Sequence, residues 1–371
     1  MAFRIKLLNN FAKVVLTSSG MNIDRRIEAF ALLGQVLGKI GEKGSFDIDG
    51  MDLSSFENNC FKAISGNSWF TSASVFNMLK SIGRSLHTED LKRWVGMYDF
   101  HDNDPKIIAV IMAGNIPAVG FHDFLSVMIS GHSILAKTAS DDQYLLPAMA
   151  ELLISIEPRF SDRITFTTEV IKEFDAVIAT GSNNTSRYFN YYFGKYPHII
   201  RKNRNALAVL NGGENQDELT ALGDDIFMYY GLGCRNVSKL FIPQDYEIKS
   251  LFEAIEDYAE VGDHHKYMNN YDYRKSIFLV NGDPHLDNGF LLLKEDPSMA
   301  SAVSVLHYER YGHLDEVKEF INRESENIQC VVSIDKSIQG AISPGSSQYP
   351  KLWDYADGVD TMKFLLNLSK Q

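Results

Sequence analysis

Cysteine is scarce in this chain, and none of it occurs in close pairs. Cys60, Cys234 and Cys330 are the only cysteines among 371 residues, and they form no CxxC motif. A structural zinc site or a disulfide framework needs more cysteines at closer spacing. We therefore expect no metal site and no disulfide, and a cytoplasmic protein in which a reduced thiol can carry out chemistry.

The sequence also lacks a basic surplus and long apolar runs. Its formal net charge of -12 argues against a nucleic-acid partner, which would need a basic face against the phosphates. Arg4, Lys6 and Lys13 interrupt the apolar residues of Met1–Leu16, so neither a signal peptide nor a membrane span is expected. The length and the ordinary content of hydrophobic residues (45%) fit two globular domains.

The pattern of apolar residues changes near residue 101. Before it, apolar residues recur at helical spacing from Ile23 to Ile40 and from Val75 to Ile82, which predicts an N-terminal helical segment at 1–100. After it, short apolar strands alternate with helices. The predicted strands are Ile107–Met112, Ser133–Lys137, Arg163–Thr167, Ala176–Ala179 and Ala206–Asn211, followed in a second series by Val237–Ile242, Ser276–Val280, Val303–Leu306 and Cys330–Ile334. This alternation predicts parallel sheets with crossover helices.

Three predicted strand ends carry small and polar residues together. They are Ala113-Gly114-Asn115, Lys137-Thr138-Ala139-Ser140 and Thr180-Gly181-Ser182. Ligands of open parallel sheets bind at the carboxyl ends of the strands, and small residues let a ligand approach the backbone. Each loop alone could be an ordinary turn, and no GxGxxG fingerprint is present. Together the three loops indicate a nucleotide site.

Cys234 differs from the other two cysteines in its setting. It follows the small-residue turn Gly231-Leu232-Gly233 and precedes a predicted strand, so substrate can reach its thiol. Cys330 lies inside the strand-like Gln329–Val332, and nothing near Cys60 suggests activation. An isolated cysteine is usually structural. A structural role is therefore the default interpretation of Cys234 unless further context indicates a catalytic one.

The context is a resemblance that covers the chain from about Lys106 to its end. The order of Ala113-Gly114-Asn115, Ser133–Lys137, Ala179–Ser182, Gly231–Cys234 and Asp360–Phe364 resembles the aldehyde dehydrogenase superfamily, and within it the LuxC-type bacterial fatty-acyl-CoA reductases. The resemblance implies an α/β fold of two interlocked lobes behind the helical segment. The Rossmann-like cofactor lobe would span 101–205, with 336–371 and a closing strand at Asp360–Phe364, and the catalytic lobe would span 206–335.

The resemblance also implies roles for single residues. Cys234 would be the nucleophile, and Asn115 would donate to the oxyanion together with the Cys234 backbone N–H. Lys137 would bind the adenosine ribose, and Gly181 and Ser182 would hold the pyrophosphate. The full set of expected cofactor-binding residues is Ala113, Gly114, Lys137, Ser140, Gly181 and Ser182.

The chain departs from the superfamily where aldehyde oxidisers carry two glutamates. No acid occurs in Pro197–Asn205, where the general base would lie, and His198 is the candidate replacement, with an exposed or structural histidine as the simpler interpretation. Ser298–Ala302 lacks the ribose-binding glutamate. Without a base for water, transfer to or from CoA is favoured over oxidation to an acid. Ser140 stands where NAD-preferring members often carry an acid, which favours NADPH, with NADH as the alternative because Asp141 is adjacent.

The expected activity is therefore reduction of an acyl-CoA thioester to an aldehyde by NADPH, through an acyl group on Cys234. Two alternatives stay open: an aldehyde oxidiser or acyl-phosphate reductase on the same fold, and a non-catalytic scaffold or partner subunit. The expected partners are an acyl-CoA or acyl-protein donor, an acyl-transferring protein and a second copy of the chain in a homodimer.

Overall fold

The structure is a computed structural model that describes residues 21–48, 50–100 and 104–368. The interpretation of Met1–Leu16 lies outside these residues. The chain forms two compact units. The first runs to Lys202 and adds Lys351–Tyr355 and the residues from Val359 onward, and the second comprises Asn203–Pro350 and Ala356–Gly358. None of the described helices is both long and apolar enough to cross a membrane.

Four helices begin the first unit: α1 (Ile23–Lys43), α2 (Ser54–Gly66), α3 (Ser72–Ser85) and α4 (Thr88–Val95). Asn22 caps α1 by accepting the Arg25 N–H at 3.0 Å. Helices α1 and α3 pack at very short range because glycines face each other. A Cβ on Gly83 would lie 2.4 Å from the Cα of Gly38, so any side chain there would force the helices apart.

The sheet of the first unit is parallel throughout. Its strands are β1 (Ile107–Ile111), β2 (Ser133–Lys137), β3 (Ile164–Phe166), β4 (Ala176–Thr180) and β5 (His198–Arg201), in the order β3-β2-β1-β4-β5. Helices α5 (Phe121–Ser130), α6 (Leu145–Ile156) and α7 (Asn183–Phe193) connect them. The strand order reverses between β1 and β4, which is the switch point where such sheets bind ligands.

The last helix, α12 (Thr361–Leu368), packs on α5 of this sheet. The prediction of a closing strand at Asp360–Phe364 is therefore wrong. The buried Met362, Leu365 and Leu368 follow helical spacing, so a helix buries them on one face. His132 anchors this helix. Its Nδ1 accepts the Lys106 N–H at 3.1 Å, so its Nε2 carries the proton and donates to the Leu365 carbonyl at 3.0 Å.

The second unit contains a six-stranded sheet in the order β11-β6-β7-β10-β9-β8. Its strands are β6 (Asn205–Val209), β7 (Val237–Pro243), β8 (Leu286–Asp287), β9 (Leu292–Glu295), β10 (Val305–Tyr311) and β11 (Ile328–Val332), and only the β8–β9 pair is antiparallel within it. Its helices are α8 (Gln216–Phe227), α9 (Ile248–Ala254), α10 (His265–Asn281) and α11 (Leu314–Arg323).

Several sequence predictions need correction here. The strand predicted to close the first series, Ala206–Asn211, is β6 of the second sheet. The predicted strand Ser276–Val280 lies in α10, where Leu279 and Val280 are 64% and 86% exposed instead of buried in a sheet. Strands β5, β8 and β9 were not predicted. Residues 336–350 belong to the second unit, and the division falls after Lys202 rather than after 205.

Candidate active site

The carboxyl edge of the first sheet brings the three predicted nucleotide loops together. Strand β1 lies between β2 and β4, and its last residue, Ile111, pairs with Lys137 on one side and Ala179 on the other. The loops that follow these strands carry Asn115, Ser140 and Gly181. All three loops therefore leave neighbouring strands at one edge, next to the switch point between β1 and β4.

A buried carboxylate holds the loop that carries Asn115 in place. Asp142 accepts the Ala118 N–H at 2.6 Å, and Ala118 has a positive φ of 49° that an alanine rarely adopts. Gly114 allows the loop to approach the neighbouring one, since a Cβ there would lie 2.7 Å from the Cβ of Ala139. The Asn115 side chain is exposed at this edge.

Burial raises the pKa of Asp142 to about 6, against the opposing effect of the N–H groups that it accepts. The folded pKa lies above the ordinary value of 3.8, so protonation favours the fold, and stability falls as pH rises from about 4 to about 6. We expect the free energy of unfolding to fall by about 3 kcal/mol at most over this pH range. Asp142→Asn keeps an acceptor oxygen but cannot ionise, so urea unfolding from pH 4 to 8 should lose this part of its pH dependence.

The exposed neighbour offers a matched control. Asp141→Asn removes the same charge one residue away, and the pH dependence should persist in that variant. An unchanged slope in Asp142→Asn would contradict the assignment.

Lys137 and α7 border a groove on the first unit. Its volume is about 670 Å³. It is lined by Ile111, Lys137, residues 170–174, Tyr188, Phe189, Tyr192, Phe193, Lys195 and Tyr196, and is called the aromatic groove below. The Lys137 Nζ donates to the Glu169 carbonyl at 3.1 Å, which holds the ammonium at the rim. The volume and the aromatic lining suit a ligand the size of a nucleotide.

Gly181 and Ser182 join β4 to α7 beside this groove. A Cβ on Gly181 would lie 3.0 Å from side-chain atoms of Thr185 and Phe189, so the turn has room only for glycine without a shift. Ser182 caps α7 by accepting the Thr185 N–H at 3.2 Å. The turn is thus built to present the first residues of α7 at the carboxyl edge of the sheet.

The predicted site residues Ser140 and His198 do not line the aromatic groove. Ser140 is exposed and lines a separate cavity with Phe61, Lys62 and Tyr144. His198 is the first residue of β5 and pairs with Val177, so it lies at the amino edge of the sheet, opposite to the nucleotide loops. Its Nδ1 lies 2.8 Å from the Tyr196 carbonyl. This position gives no support to His198 as a base beside those loops.

Cys234 lies in the second unit, in a tight turn between α8 and β7. Tyr229, Tyr230 and Gly231 have positive φ values of 54°, 59° and 75°, and two of these three are not glycine. Such conformations are costly for residues with a side chain and persist only where the surroundings impose them. The turn leaves the Cys234 side chain exposed.

Asn236 imposes the conformation of this turn. Its buried side chain accepts the Gly233 N–H at 2.8 Å and donates to the Met228 carbonyl at 2.8 Å and the Asp225 carbonyl at 3.1 Å. The amide therefore joins the end of α8 to the residue that precedes Cys234. No sequence pattern indicates this role, because an asparagine after a glycine-rich turn is common in any loop.

We expect Asn236→Ala to slow the chemistry of Cys234. The substitution removes the acceptor of the Gly233 N–H and the side-chain donor to three carbonyls, which should lower stability by about 1–3 kcal/mol. It should also lower the rate of Cys234 alkylation by iodoacetamide and lower kcat about 10- to 100-fold, since misplaced reacting groups cost that much. Nucleotide affinity should not change.

Ser238→Ala is the control for this experiment. Ser238 also lies on β7 and donates to the Met299 carbonyl at 2.9 Å, away from the turn. Equal effects of the two substitutions on kcat would mean that Asn236 acts only through overall stability.

Burial distinguishes Cys60 and Cys330 from the exposed Cys234. Burial raises the pKa of Cys60 to about 12, and burial also raises the pKa of Cys330 to about 12 despite the nearby Arg235 guanidinium. Both therefore stay protonated near neutral pH, and the thiolate is the nucleophilic form. His264, which caps α10, packs its ring on Tyr230 at 4.2 Å between ring centres.

The two sheets and their site loops define the fold of an aldehyde dehydrogenase. The chain is similar in structure to aldehyde dehydrogenase 21 from Physcomitrella patens, with a TM-score of 0.61, 13% identity and coverage of 94% of this chain and 88% of the other. The NAD-dependent aldehyde dehydrogenase of Sinorhizobium meliloti gives a TM-score of 0.61 at 11% identity, covering 86% of this chain and 76% of the other. The predicted fold class is confirmed.

The sequence adds a narrower match within that fold. Residues 78–256, just under half of the chain, match the family model of the LuxC acyl-CoA reductases. The predicted resemblance to LuxC-type members of the aldehyde dehydrogenase superfamily is thereby confirmed. No curated protein sequence matches the chain at a significant level.

Proposed function

We propose that this protein is an oxidoreductase that reduces an acyl-CoA thioester to an aldehyde with NADPH, through an acyl group carried on Cys234. The observation that carries the proposal is the exposed Cys234 thiol on a turn that Asn236 and three positive φ angles hold in place. The match of residues 78–256 to LuxC acyl-CoA reductases supports the substrate class.

The chemistry that follows from this thiol has two stages. The Cys234 thiolate attacks the thioester carbonyl, the bond from carbon to the CoA sulfur breaks, and CoA leaves as a thiolate that takes up a proton. A reduced nicotinamide nucleotide, when bound, would supply a hydride to the acyl carbon. The carbon–sulfur bond to Cys234 breaks, and the aldehyde and the regenerated thiolate result. Asn115 is the proposed side-chain donor to the oxyanion, a contact worth about 3–4 kcal/mol in such sites.

Residues of the first unit fit a nicotinamide nucleotide. The aromatic groove supplies flat surfaces for an adenine ring, and Lys137 at its rim is a donor for ribose hydroxyls. Ala113, Gly114, Gly181 and Ser182 lie in the loops at the carboxyl edge beside the switch point, where the phosphates are proposed to bind. A structurally similar protein, the indole-3-acetaldehyde dehydrogenase of P. syringae, was solved with NAD+ (TM-score 0.59, 11% identity, covering 86% of this chain and 77% of the other).

Mass spectrometry of the protein mixed with acyl-CoA, without nucleotide, tests this proposal. The expected result is one acyl adduct, located on Cys234 by peptide mapping, which disappears as aldehyde forms when NADPH is added. An adduct from acyl phosphate alone would favour that substrate. Oxidation of aldehydes without CoA would favour an oxidiser, and no adduct with any donor would favour a scaffold or partner subunit.

The proposal also covers the compartment, the oligomeric state and the acyl donor. We expect a cytoplasmic homodimer that receives acyl groups from acyl-CoA or from an acyl-transferring protein. The net charge of -12 argues against nucleic acid as a partner. Gel filtration with light scattering checks the oligomeric state.

A further inference from the structure

We propose that Lys172 and Lys195 make this protein select NADPH over NADH, by binding the 2′-phosphate of the nucleotide at the aromatic groove. The inference rests on the proposed function and names the residues that set its cofactor. It replaces the explanation from Ser140, because that side chain lines a different cavity. An absent carboxylate removes repulsion, whereas selection of NADPH needs groups that attract the phosphate.

The two lysines lie on segments that the fold brings together. Lys172 lies two residues before Phe174, and Lys195 directly precedes Tyr196. The rings of Phe174 and Tyr196 are in contact, with 4.5 Å between their centres, and the Lys195 Nζ lies 5.2 Å from the centre of the Tyr196 ring. Both lysines line the aromatic groove and both are exposed, so a ligand in the groove can reach them.

The aromatic groove has a surplus of positive charge, whereas the chain as a whole is negatively charged. The protein carries a formal net charge of -12, yet the groove is lined by three lysines and one acid, Glu173. Ammonium groups that line one cavity repel each other, and a phosphate dianion relieves that repulsion while accepting charged hydrogen bonds. A ribose hydroxyl, the group that NADH offers instead, gains much less from two further cations.

Lys137 is not one of the lysines proposed to bind the 2′-phosphate. Its Nζ already donates to the Glu169 carbonyl, which holds it at the end of β2. Its remaining donors suit the ribose hydroxyls of either nucleotide. Affinity for both nucleotides thus depends on Lys137, and the difference between them depends on Lys172 and Lys195.

Three isomeric ligands separate the 2′-phosphate from other sources of charge. Adenosine 2′,5′-bisphosphate, adenosine 3′,5′-bisphosphate and ADP carry the same number of phosphates, and the 3′,5′ isomer represents the adenine end of CoA. Calorimetry on the wild-type protein and on Lys172→Gln, Lys195→Gln and the double variant gives the dissociation constants, and NADPH and NADH are titrated in parallel. Lys62→Gln, which removes one charge beside Ser140, is the matched control.

The wild-type protein should bind the 2′,5′ isomer and NADPH at least about 10-fold more tightly than ADP and NADH, because charged hydrogen bonds contribute that much. The double variant should lose this preference with little change for ADP and NADH, and Lys62→Gln should keep it. Equal losses for all ligands, or a preference for the 3′,5′ isomer, would overturn the assignment and leave the proposed reduction standing. If neither NADPH nor NADH binds, the proposed function fails as well.

Discussion

Cys234→Ala is expected to abolish acyl-CoA-dependent oxidation of NADPH, with a loss of turnover on the order of 10⁴-fold or more, as expected for loss of a covalent nucleophile. The reason is chemical: without the thiol no acyl-enzyme forms, and water offers no comparable route to an aldehyde. The measurement is the rate of NADPH consumption with acyl-CoA, combined with calorimetry of NADPH binding. The dissociation constant should stay within about twofold of the wild-type value, because Cys234 makes no contribution to the aromatic groove.

Cys330→Ser is the control for this experiment. Cys330 is half-buried on β11, beside Arg235, and burial holds its pKa well above neutral pH. The variant should keep near-native turnover and a normal acyl adduct. Near-native turnover in Cys234→Ala would refute the mechanism, and loss of turnover in both variants would point to a structural requirement for the thiols instead.

The order of elements in the first unit could be predicted because each element carries its own local pattern. Strands β1 and β4 are continuous apolar runs, and the burial of their central residues on both faces is what such runs indicate. The loops at Gly114 and Gly181 could be identified for the same local reason, since small residues follow a strand. Parallel pairing then brings these loops to one edge without further information.

Elements whose stability comes from distant contacts could not be predicted. Strand β5 is four residues long and has one apolar pair, Ile199-Ile200, so its pairing with β4 decides its conformation. The family pattern predicts a strand around Asp360, whereas contacts with α5 and the His132 bond make Thr361–Leu368 a helix. In both places tertiary packing outweighs the local sequence.

The same distinction applies to the candidate site. The small-residue turn distinguishes Cys234 in the sequence, but no sequence pattern indicates that the Asn236 side chain stabilises that turn. Lys172 and Lys195 are 23 positions apart and lack any motif, and contacts of Phe174 with Phe193 and Tyr196 bring their segments together. Residues that act through contacts formed only in the folded chain leave no local pattern in the sequence.

Arg201→Met is expected to destabilise the first unit by about 3–5 kcal/mol, since it leaves a buried carboxylate without its cation. The Arg201 guanidinium donates to Asp123 of α5 at 2.5 Å and to Thr361 of α12 at 2.9 Å. The two charged side chains are only 5% and 10% exposed. The ion pair therefore joins the end of β5 to α5 and to the C-terminal helix. Urea unfolding followed by circular dichroism gives the loss.

Two comparison variants separate the ion pair from a general effect of losing an arginine. Arg159→Met breaks a bond of similar geometry, 2.8 Å to Glu157, but Arg159 is 39% exposed, so the cost should be about 1 kcal/mol or less. The double variant Arg201→Met, Asp123→Leu removes both buried charges and should recover most of the lost stability, because the penalty comes from the unpaired carboxylate rather than from the missing attraction. A double variant as unstable as Arg201→Met would instead mean that the bond to Thr361 holds the C-terminal helix in place.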